Sequence, residues 1–373
     1  MVEGGTPVFF NGKFYSGGMN GVHRVSDRLI REFDRKLAEL PLADRPEAFL
    51  MAPRTSTWLP DLEAVQLRTF DKTNQFWEQL TLPWLTRKGT LINLANLAPV
   101  MHGRKVTMIH DIQFLMPDCG YSMRQRFGYR TLAPLIGRSS RRVLTVSEFS
   151  RNMLSDKGIS KKASTGVIHN GANHILDVKA DHDILPLHGL APLQYVVMFA
   201  SPKPYKNIRV VLDAFAQPEL AKTQLVLVGS SRNGLETAGL SVPANTVFTG
   251  PIEDGALKAL LQSAVAIAFP SRTEGFGLPP LEAMLCDCPV IANAGGAIPE
   301  VCGQSVQYAG ADQPRDWVQA ILRFLDDSEY RADFIDRGRT RAARFTWSSA
   351  GQLLYDTVVQ VSGNYPSESV APL

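Results

Sequence analysis

Two glutamates, Glu274 and Glu282, stand with seven residues between them in the stretch Pro270-Ser-Arg-Thr-Glu-Gly-Phe-Gly-Leu-Pro-Pro-Leu-Glu-Ala-Met284. The apolar run Val265–Phe269 predicts a strand ending just before this stretch, and the prolines predict a helix beginning near Pro279. Glu274 then lies in a strand-to-helix loop and Glu282 in the first turns of the helix. Gly275 and Gly277 let a backbone come close to a ligand, and the N–H groups left unpaired at a helix start suit a diphosphate. An ordinary loop leading into an acidic first turn would use the same residues.

Three other places carry residues capable of chemistry. The predicted strand Tyr195–Phe199 runs into Ala-Ser-Pro-Lys-Pro-Tyr-Lys206-Asn207, with a helix after it. A lysine at a helix start opposes the helix dipole, a cost that an anionic ligand would offset; a solvated surface lysine is the alternative, more so for Lys203 than for Lys206. The loop Ser16-Gly-Gly-Met-Asn-Gly21 follows the first strand and precedes a helix over Val22–Phe33, so Gly17 and Gly18 are either turn residues or points of close ligand approach. His110-Asp111 ends the strand Val106–His110. A lone histidine is usually structural, but the C-terminal edge of a buried strand is where open α/β sheets bind ligands. Asp111 either orients His110 or caps the next turn. Ser147 reads as an N-cap, with Glu148 favourable in the first turn behind it.

These residues need a scaffold of buried strands. Apolar runs recur at Val8–Phe10, Val106–His110, Val143–Val146 and Gly166–His169, and again at Tyr195–Phe199, Gln224–Val228, Thr246–Thr249, Val265–Phe269, Val290–Asn293 and Ser305–Tyr308. Most are wholly apolar, as in strands covered on both faces of a parallel sheet. Helical periodicity falls between them, over Asn207–Ala216, Ala256–Ala264 and Trp317–Leu325. The fold class is therefore α/β, doubly wound in both halves. A chain of 373 residues exceeds one ordinary core. The expected division is an N-terminal domain over 1–180, a C-terminal domain over 190–346, and a helix and tail over 347–373 returning to the first domain. The aperiodic stretch Asp177–Pro192 reads as the linker.

Taken in order along the chain, the motifs resemble GT-B glycosyltransferase family 4. Glu274-x7-Glu282 around Gly-Phe-Gly-Leu-Pro carries most of the likeness. Val106-Thr-Met-Ile-His-Asp111, Val143-Leu-Thr-Val-Ser-Glu-Phe-Ser-Arg151, Val167-Ile-His-Asn-Gly171, Lys206-Asn207 and Pro289-Val-Ile-Ala-Asn293 extend it from about residue 8 to residue 350. The resemblance implies two facing Rossmann-like lobes with a cleft between them, and a retaining transfer of a hexose from a nucleoside diphosphate. Glu274 inherits a contact to the donor sugar and Glu282 the ribose hydroxyls; a carboxylate suits a vicinal diol because it accepts two hydrogen bonds. The backbone at Phe276, Gly277 and Leu278 would face the diphosphate or sugar, and His110 the sugar hydroxyls. Gly17 and Gly18 would lie near the phosphates and the acceptor. Lys206 would hold the diphosphate, usually together with an arginine five residues earlier. That position is Ser201 here, a departure from the pattern. Either Lys203 supplies the missing charge or Ser201 hydrogen-bonds a phosphate oxygen.

The pattern is most similar to bacterial mannosyltransferases of exopolysaccharide or O-antigen assembly. It implies GDP-mannose as donor, with UDP-glucose and other UDP-hexoses as alternatives, and a polyprenyl-diphosphate-linked glycan as acceptor. A non-catalytic sugar-nucleotide-binding subunit is the alternative of another class, supported only by Ser201. No cofactor and no metal are expected. Asp181-His-Asp183 has the form of a metal-binding D-x-D but falls in the linker. Cys286-Asp-Cys288 is too tight for a zinc half-site and reads as core packing.

Composition narrows the partners. A net charge of +3 excludes a globally basic nucleic-acid coat. Four cysteines, Cys119, Cys286, Cys288 and Cys302, make no disulfide framework and fit a reducing cytoplasm. The first residues lack a signal-peptide pattern. Charge is nonetheless uneven. Between Asp118 and Glu148 there is no acid but six arginines: Arg124, Arg126, Arg130, Arg138, Arg141 and Arg142. Phe127, Tyr129, Leu132, Leu135 and Ile136 are interleaved. Such a segment would lie on an anionic membrane surface or grip a lipid-linked diphosphate, or else present a solvated basic face.

Overall fold

The computed structural model describes residues 6–56, 58–71, 76–116 and 123–363, with the side chains of 124 and 125 excepted. Cys119 and the tail from 364 lie outside the described residues. The chain forms two compact units. The first runs to Leu115, continues through Gly171, and takes up the chain again from Trp347; the second runs Ala172–Thr346.

Among the described residues the first unit has seven strands, all parallel. They are β1 (Val8–Asn11), β2 (Ala48–Pro53), β3 (Gln66–Phe70), β4 (Thr90–Asn93), β5 (Lys105–Met108), β6 (Arg142–Thr145) and β7 (Thr165–Val167), in the order β3-β2-β1-β4-β5-β6-β7. The second unit has six: β8 (Tyr195–Phe199), β9 (Gln224–Val228), β10 (Thr246–Gly250), β11 (Ala266–Phe269), β12 (Val290–Ala292) and β13 (Gln307–Tyr308). Their order is β10-β9-β8-β11-β12-β13, again all parallel. In each sheet the chain moves outward on one side of its first strand and then returns to build the other side. That reversal creates a crevice between β1 and β4 in the first sheet and between β8 and β11 in the second, where the neighbouring loops part.

The strands form where side chains can be buried on both faces. Every residue of β1, β2, β4, β5 and β11 is buried. β2, β3 and β4 were not among the expected strands. β3 (Gln-Leu-Arg-Thr-Phe) is a sheet edge with mostly exposed residues, so it lacks the apolar run of a central strand.

Three expectations need correction. Residues 177–192 are not a free linker. Asp181 N–H donates to Gly255 O, Lys258 Nζ donates to Leu176 O and Val178 O, and Ile184 and Leu190 are buried, so the segment is fastened to the second unit. The boundary accordingly falls at Gly171/Ala172, ahead of the expected 180–190. Lys206 does not begin a helix. It ends a 3-10 turn, Pro204–Lys206, and the following helix is Arg209–Phe215, so the unfavourable-dipole argument does not apply to it. Nor does the helix after Glu274 offer a full set of amides. It spans Leu278–Leu285, and its second and third residues, Pro279 and Pro280, have no N–H.

The helix Trp347–Ser362 belongs to the first unit, where it packs on the helix Gly21–Ala38. Gly351 lies flat against Glu32, and Arg35 donates to Ser348 Oγ at 3.0 Å. Among the described residues no helix is long and apolar enough to cross a membrane.

Candidate active site

In the second unit the loops leaving β8 and β11 meet at the topological switch. Three contacts hold them together. Arg272 N–H donates to Tyr205 O at 2.8 Å, and Asn207 Nδ2 donates to Pro270 O at 3.3 Å and to Ala311 O at 2.7 Å. Asn207 takes a left-handed conformation, φ 53°, which an asparagine tolerates better than most residues. The turn aims Lys206 across the gap, and its Nζ lies 2.7 Å from Glu274 Oε1. The pair is partly sheltered, with side-chain exposures of 28% for lysine and 12% for glutamate, enough to shield it from bulk water while leaving it open to a ligand.

The loop after β12 backs this arrangement. Ala297 N–H donates to Glu274 O at 3.0 Å. A side chain on Gly295 would strike Arg272 O, and one on Gly296 (φ +64°) would strike the Glu274 backbone. This glycine pair follows the Pro289–Asn293 motif and went unremarked at the level of sequence, although two adjacent glycines after a buried strand are a recognisable sign of close backbone approach.

Glu282 sits on the helix that starts at Gly277, whose φ of +114° requires glycine. It is buried, and its Oε1 lies 3.1 Å from the fully buried His174 Nε2. His174 was also missed. It lies in a short 3-10 turn, Asn173–Ile175, just beyond the Val167–Gly171 motif. Gly275, Phe276 and Gly277 are buried and Leu278 is half-buried, which leaves the Gly277 and Leu278 N–H groups as the amides at this helix start.

The remaining cation candidates differ. Ser201 Oγ stands 3.5 Å from Lys203 N and so serves the turn it belongs to, while Lys203 is exposed. Arg272 is committed to Asp312, with Nη1 at 3.1 Å from Oδ2. Asp181 Oδ1 accepts the Asp183 N–H at 3.2 Å, a local turn contact. Cys286, Cys288 and Cys302 are buried, and burial pushes the Cys286 and Cys302 thiols up to about 12, as expected of packing residues.

In the first unit His110 follows β5 and is buried. Its Nε2 is 2.7 Å from Leu94 O, its N–H donates to Asn96 Oδ1 at 2.8 Å, and its carbonyl accepts from Ser150 Oγ at 3.0 Å. Burial lowers its pKa to about 4. The ring is therefore neutral at pH 7. Facing a carbonyl, Nε2 carries the proton, and Nδ1 is left as an acceptor for a hydroxyl. Asp111 Oδ1 accepts the Gln113 N–H at 3.0 Å, so it caps the next turn. Ser147 caps its helix, accepting from Ser150 N–H at 3.0 Å. Gly17 and Gly18 are exposed. Gly17 O accepts from Trp58 Nε1 at 2.8 Å, and a side chain at Gly18 would meet nothing within 4 Å, so packing does not demand a glycine there. On the helix Met123–Ser139, Ala133 and Ile136 are buried while Met123, Phe127 and Arg130 are exposed. The Arg124 side chain lies outside the described residues.

Known proteins resemble this chain in sequence and in fold. Residues 192–341, which hold the Lys206–Glu274 pair and Glu282, match the family model for glycosyl transferases group 1. The O-antigen chain mannosyltransferase B of Escherichia coli is 30% identical over 264 residues, covering 66% of this chain and 68% of that protein. The O-antigen chain mannosyltransferase RfbU of Salmonella typhimurium is 25% identical over 276 residues, covering 73% and 71%. The crystal structure of Anabaena Alr3699/HepE in complex with UDP-glucose superposes with a TM-score of 0.70 at 19% identity, over 95% of this chain and 100% of that one. The two parallel-sheet domains thus make the GT-B fold.

Proposed function

The chain belongs to the group 1 glycosyl transferases, and on that premise we propose that it moves mannose from GDP-mannose, with retention, onto a hydroxyl of a lipid-linked glycan in bacterial surface polysaccharide synthesis. The observation that carries the reading is the Lys206–Glu274 pair at the switch point, beside the helix start at Gly277. The two O-antigen mannosyltransferase relatives support mannose as the sugar.

In this reading the ion pair is exchanged when donor binds. The Lys206 ammonium turns to the diphosphate, and Glu274, released, accepts hydrogen bonds from the sugar hydroxyls. Charge on the leaving diphosphate is met by Lys206 and by the Gly277 and Leu278 amides, groups already in place before bond cleavage. Glu282, with His174 behind it, takes the ribose. In the first unit the neutral His110 offers Nδ1 as an acceptor for a hydroxyl. Lys206 and the amides supply the charge neutralisation that other transferases draw from a metal, so turnover should persist in excess EDTA; a loss restored by Mg²⁺ or Mn²⁺ would refute this part. The exposed apolar and basic side chains of the helix Met123–Ser139 rest on an anionic membrane surface, which brings the enzyme to a lipid-linked acceptor.

The test is thermal stabilisation of the purified chain by a panel of nucleotide sugars. GDP-mannose should raise the melting temperature most. A larger rise with UDP-glucose or another UDP-hexose would reassign the donor, and no response to any nucleotide sugar would refute the reading.

A further inference from the structure

The chain enters the second unit at Ala172, and the residues just after that crossing reach the helix that carries Glu282. Ala172 N–H donates to Phe345 O at 3.0 Å, beside Thr346, where the chain leaves the unit. On the other side, Lys258 Nζ donates to Leu176 O at 3.0 Å and to Val178 O at 2.8 Å. The 3-10 turn Asn173–Ile175 is thus braced at both ends, and Ile175 is buried within it. His174 stands in the middle of this turn with its side chain wholly buried, and its Nε2 lies 3.1 Å from Glu282 Oε1.

Glu282 stands one turn beyond Leu278 on the helix Leu278–Leu285 and is itself only 7% exposed. A carboxylate withdrawn from water is costly unless its oxygens are matched. Which partner holds the other follows from their freedom. A glutamate has three side-chain torsions and a histidine two, and the turn under His174 is braced while Glu282 reaches out to meet it. The ring is therefore the fixed member, and the carboxylate is the member that is set. A carboxylate set in this way before a ligand arrives loses less freedom on binding. The same brace also supports the donor loop. Phe345, whose carbonyl accepts from Ala172, meets Phe276 edge to face, with ring centroids 5.8 Å apart and planes at 80°.

We infer that His174 is a positioning residue for recognition of the donor's ribose: it holds Glu282 Oε1 and so presents Oε2 to the 2′- and 3′-hydroxyls. The inference rests on the glycosyl-transfer reading and adds to it a side chain that touches no ligand. A pair that merely fastened the turn to the helix would, when broken, lower stability and weaken every nucleotide alike. A positioning role predicts a narrower loss. Without His174 the site should cease to prefer a ribose over a sugar lacking both hydroxyls, whatever the base, and should keep its affinity for the rest of the nucleotide.

The probes are GDP, UDP and their 2′,3′-dideoxy counterparts, with affinities for the full chain measured by calorimetry. Wild type should bind at least one of the two ribonucleotides and prefer it to its dideoxy form by about tenfold or more, the scale of hydrogen bonds to a charged acceptor. His174→Leu keeps most of the bulk and removes the ring nitrogens. Its preference should fall to about threefold or less, with dideoxynucleotide affinity changed by less than about twofold. An undiminished preference in His174→Leu would overturn the inference, and so would an equal loss of affinity for both forms. Should His174→Leu fail to fold, the ring-nitrogen resonances of His174 in ¹⁵N-labelled wild type decide the matter. They should move on adding the ribonucleotide and stay in place with the dideoxy form; equal shifts with both would overturn the inference. A wild type that binds nucleotide with no preference for ribose would overturn it too and leave glycosyl transfer standing. Binding of neither GDP nor UDP would strike the glycosyl-transfer reading itself.

Discussion

Both sheets place a lysine–glutamate pair where their strand order reverses, and the two pairs are supported in opposite ways. In the second unit, Lys206 and Glu274 stand on loops whose backbones are held by the Arg272 N–H to Tyr205 O bond, by the Asn207 amide on two carbonyls, and by glycines that let one loop lie on another. In the first unit, Lys13 and Glu78 are held by side-chain amides, Asn11 and through it Asn93. A pair set on such loops can exchange partners without disturbing the core, as the proposed trade of the internal ion pair for a diphosphate requires. One pinned by a buried amide has its carboxylate oriented by that amide. The parallel placement follows from topology, because a parallel doubly wound sheet has its crevice where the connections diverge.

The comparison breaks first if Glu274 is dispensable. Glu274→Ala should lower kcat by roughly 10²-fold or more, the scale for losing one preorganised transition-state contact, whereas Glu282→Ala should chiefly raise donor KM by about tenfold, because ribose contacts are alike in ground and transition states. Steady-state kinetics on both variants checks this, and unchanged values in both would remove the assignment.

Lys206→Ala should cost roughly 2–4 kcal/mol in kcat/KM for the donor, and the exposed Lys203→Ala clearly less. Because Lys206 and Glu274 are in contact, the double variant should lose less than the sum of the single losses. Strict additivity would mean that the pair does not act as a unit. Ser201→Arg sharpens the same point. If the site has room for a second cation, donor affinity should be kept or improved; a fall in kcat/KM would show that Lys203 already occupies that space.

His110 gives a pH signature confined to the first unit. Its folded pKa of about 4 lies below the ordinary 6.5 because it is buried. Above pH 6.5 it is neutral whether folded or unfolded and costs nothing. As pH falls from 6.5 to 4 the unfolded chain gains a proton that the folded chain refuses, so stability falls, by about 3 kcal/mol once pH is below both values. Denaturant melts should show a shallower acid loss in His110→Asn than in wild type. Equal slopes in the two proteins would contradict the buried neutral ring.

The smallest effect per side chain belongs to the surface. Changing Arg124, Arg126 and Arg130 to Gln should weaken salt-sensitive binding to anionic vesicles, at about 1 kcal/mol for each side chain near the surface. Equal sedimentation of both proteins with the vesicles would leave the helix simply solvated.

The two pairs were unequally legible in the sequence. Glu274, Glu282 and Lys206 sit in local runs where glycines, prolines and a preceding apolar strand mark the backbone geometry, so type and spacing point to them directly. His174 contacts Glu282 across more than a hundred residues and belongs to no run. Glu78 lies even further from legibility: its partners are 67 and 65 residues away, and a π-helical turn leaves no periodic trace. β2 and β4 are apolar runs with turn residues beside them, Asp44 and Pro46 before the one and Gly89 before the other, so they were legible and not read; β3 lacks an apolar face. The dipole reading of Lys206 failed because the helix begins three residues later than the motif suggests.

The most direct test of the account is nucleotide release from GDP-mannose and from UDP-glucose by wild type and by Glu274→Gln, each with and without a mannose-terminated lipid-linked acceptor. The account predicts that wild type turns over GDP-mannose at least tenfold faster than UDP-glucose, that acceptor stimulates the reaction, and that Glu274→Gln loses most of it. A preference for UDP-glucose, or full activity in Glu274→Gln, would contradict it.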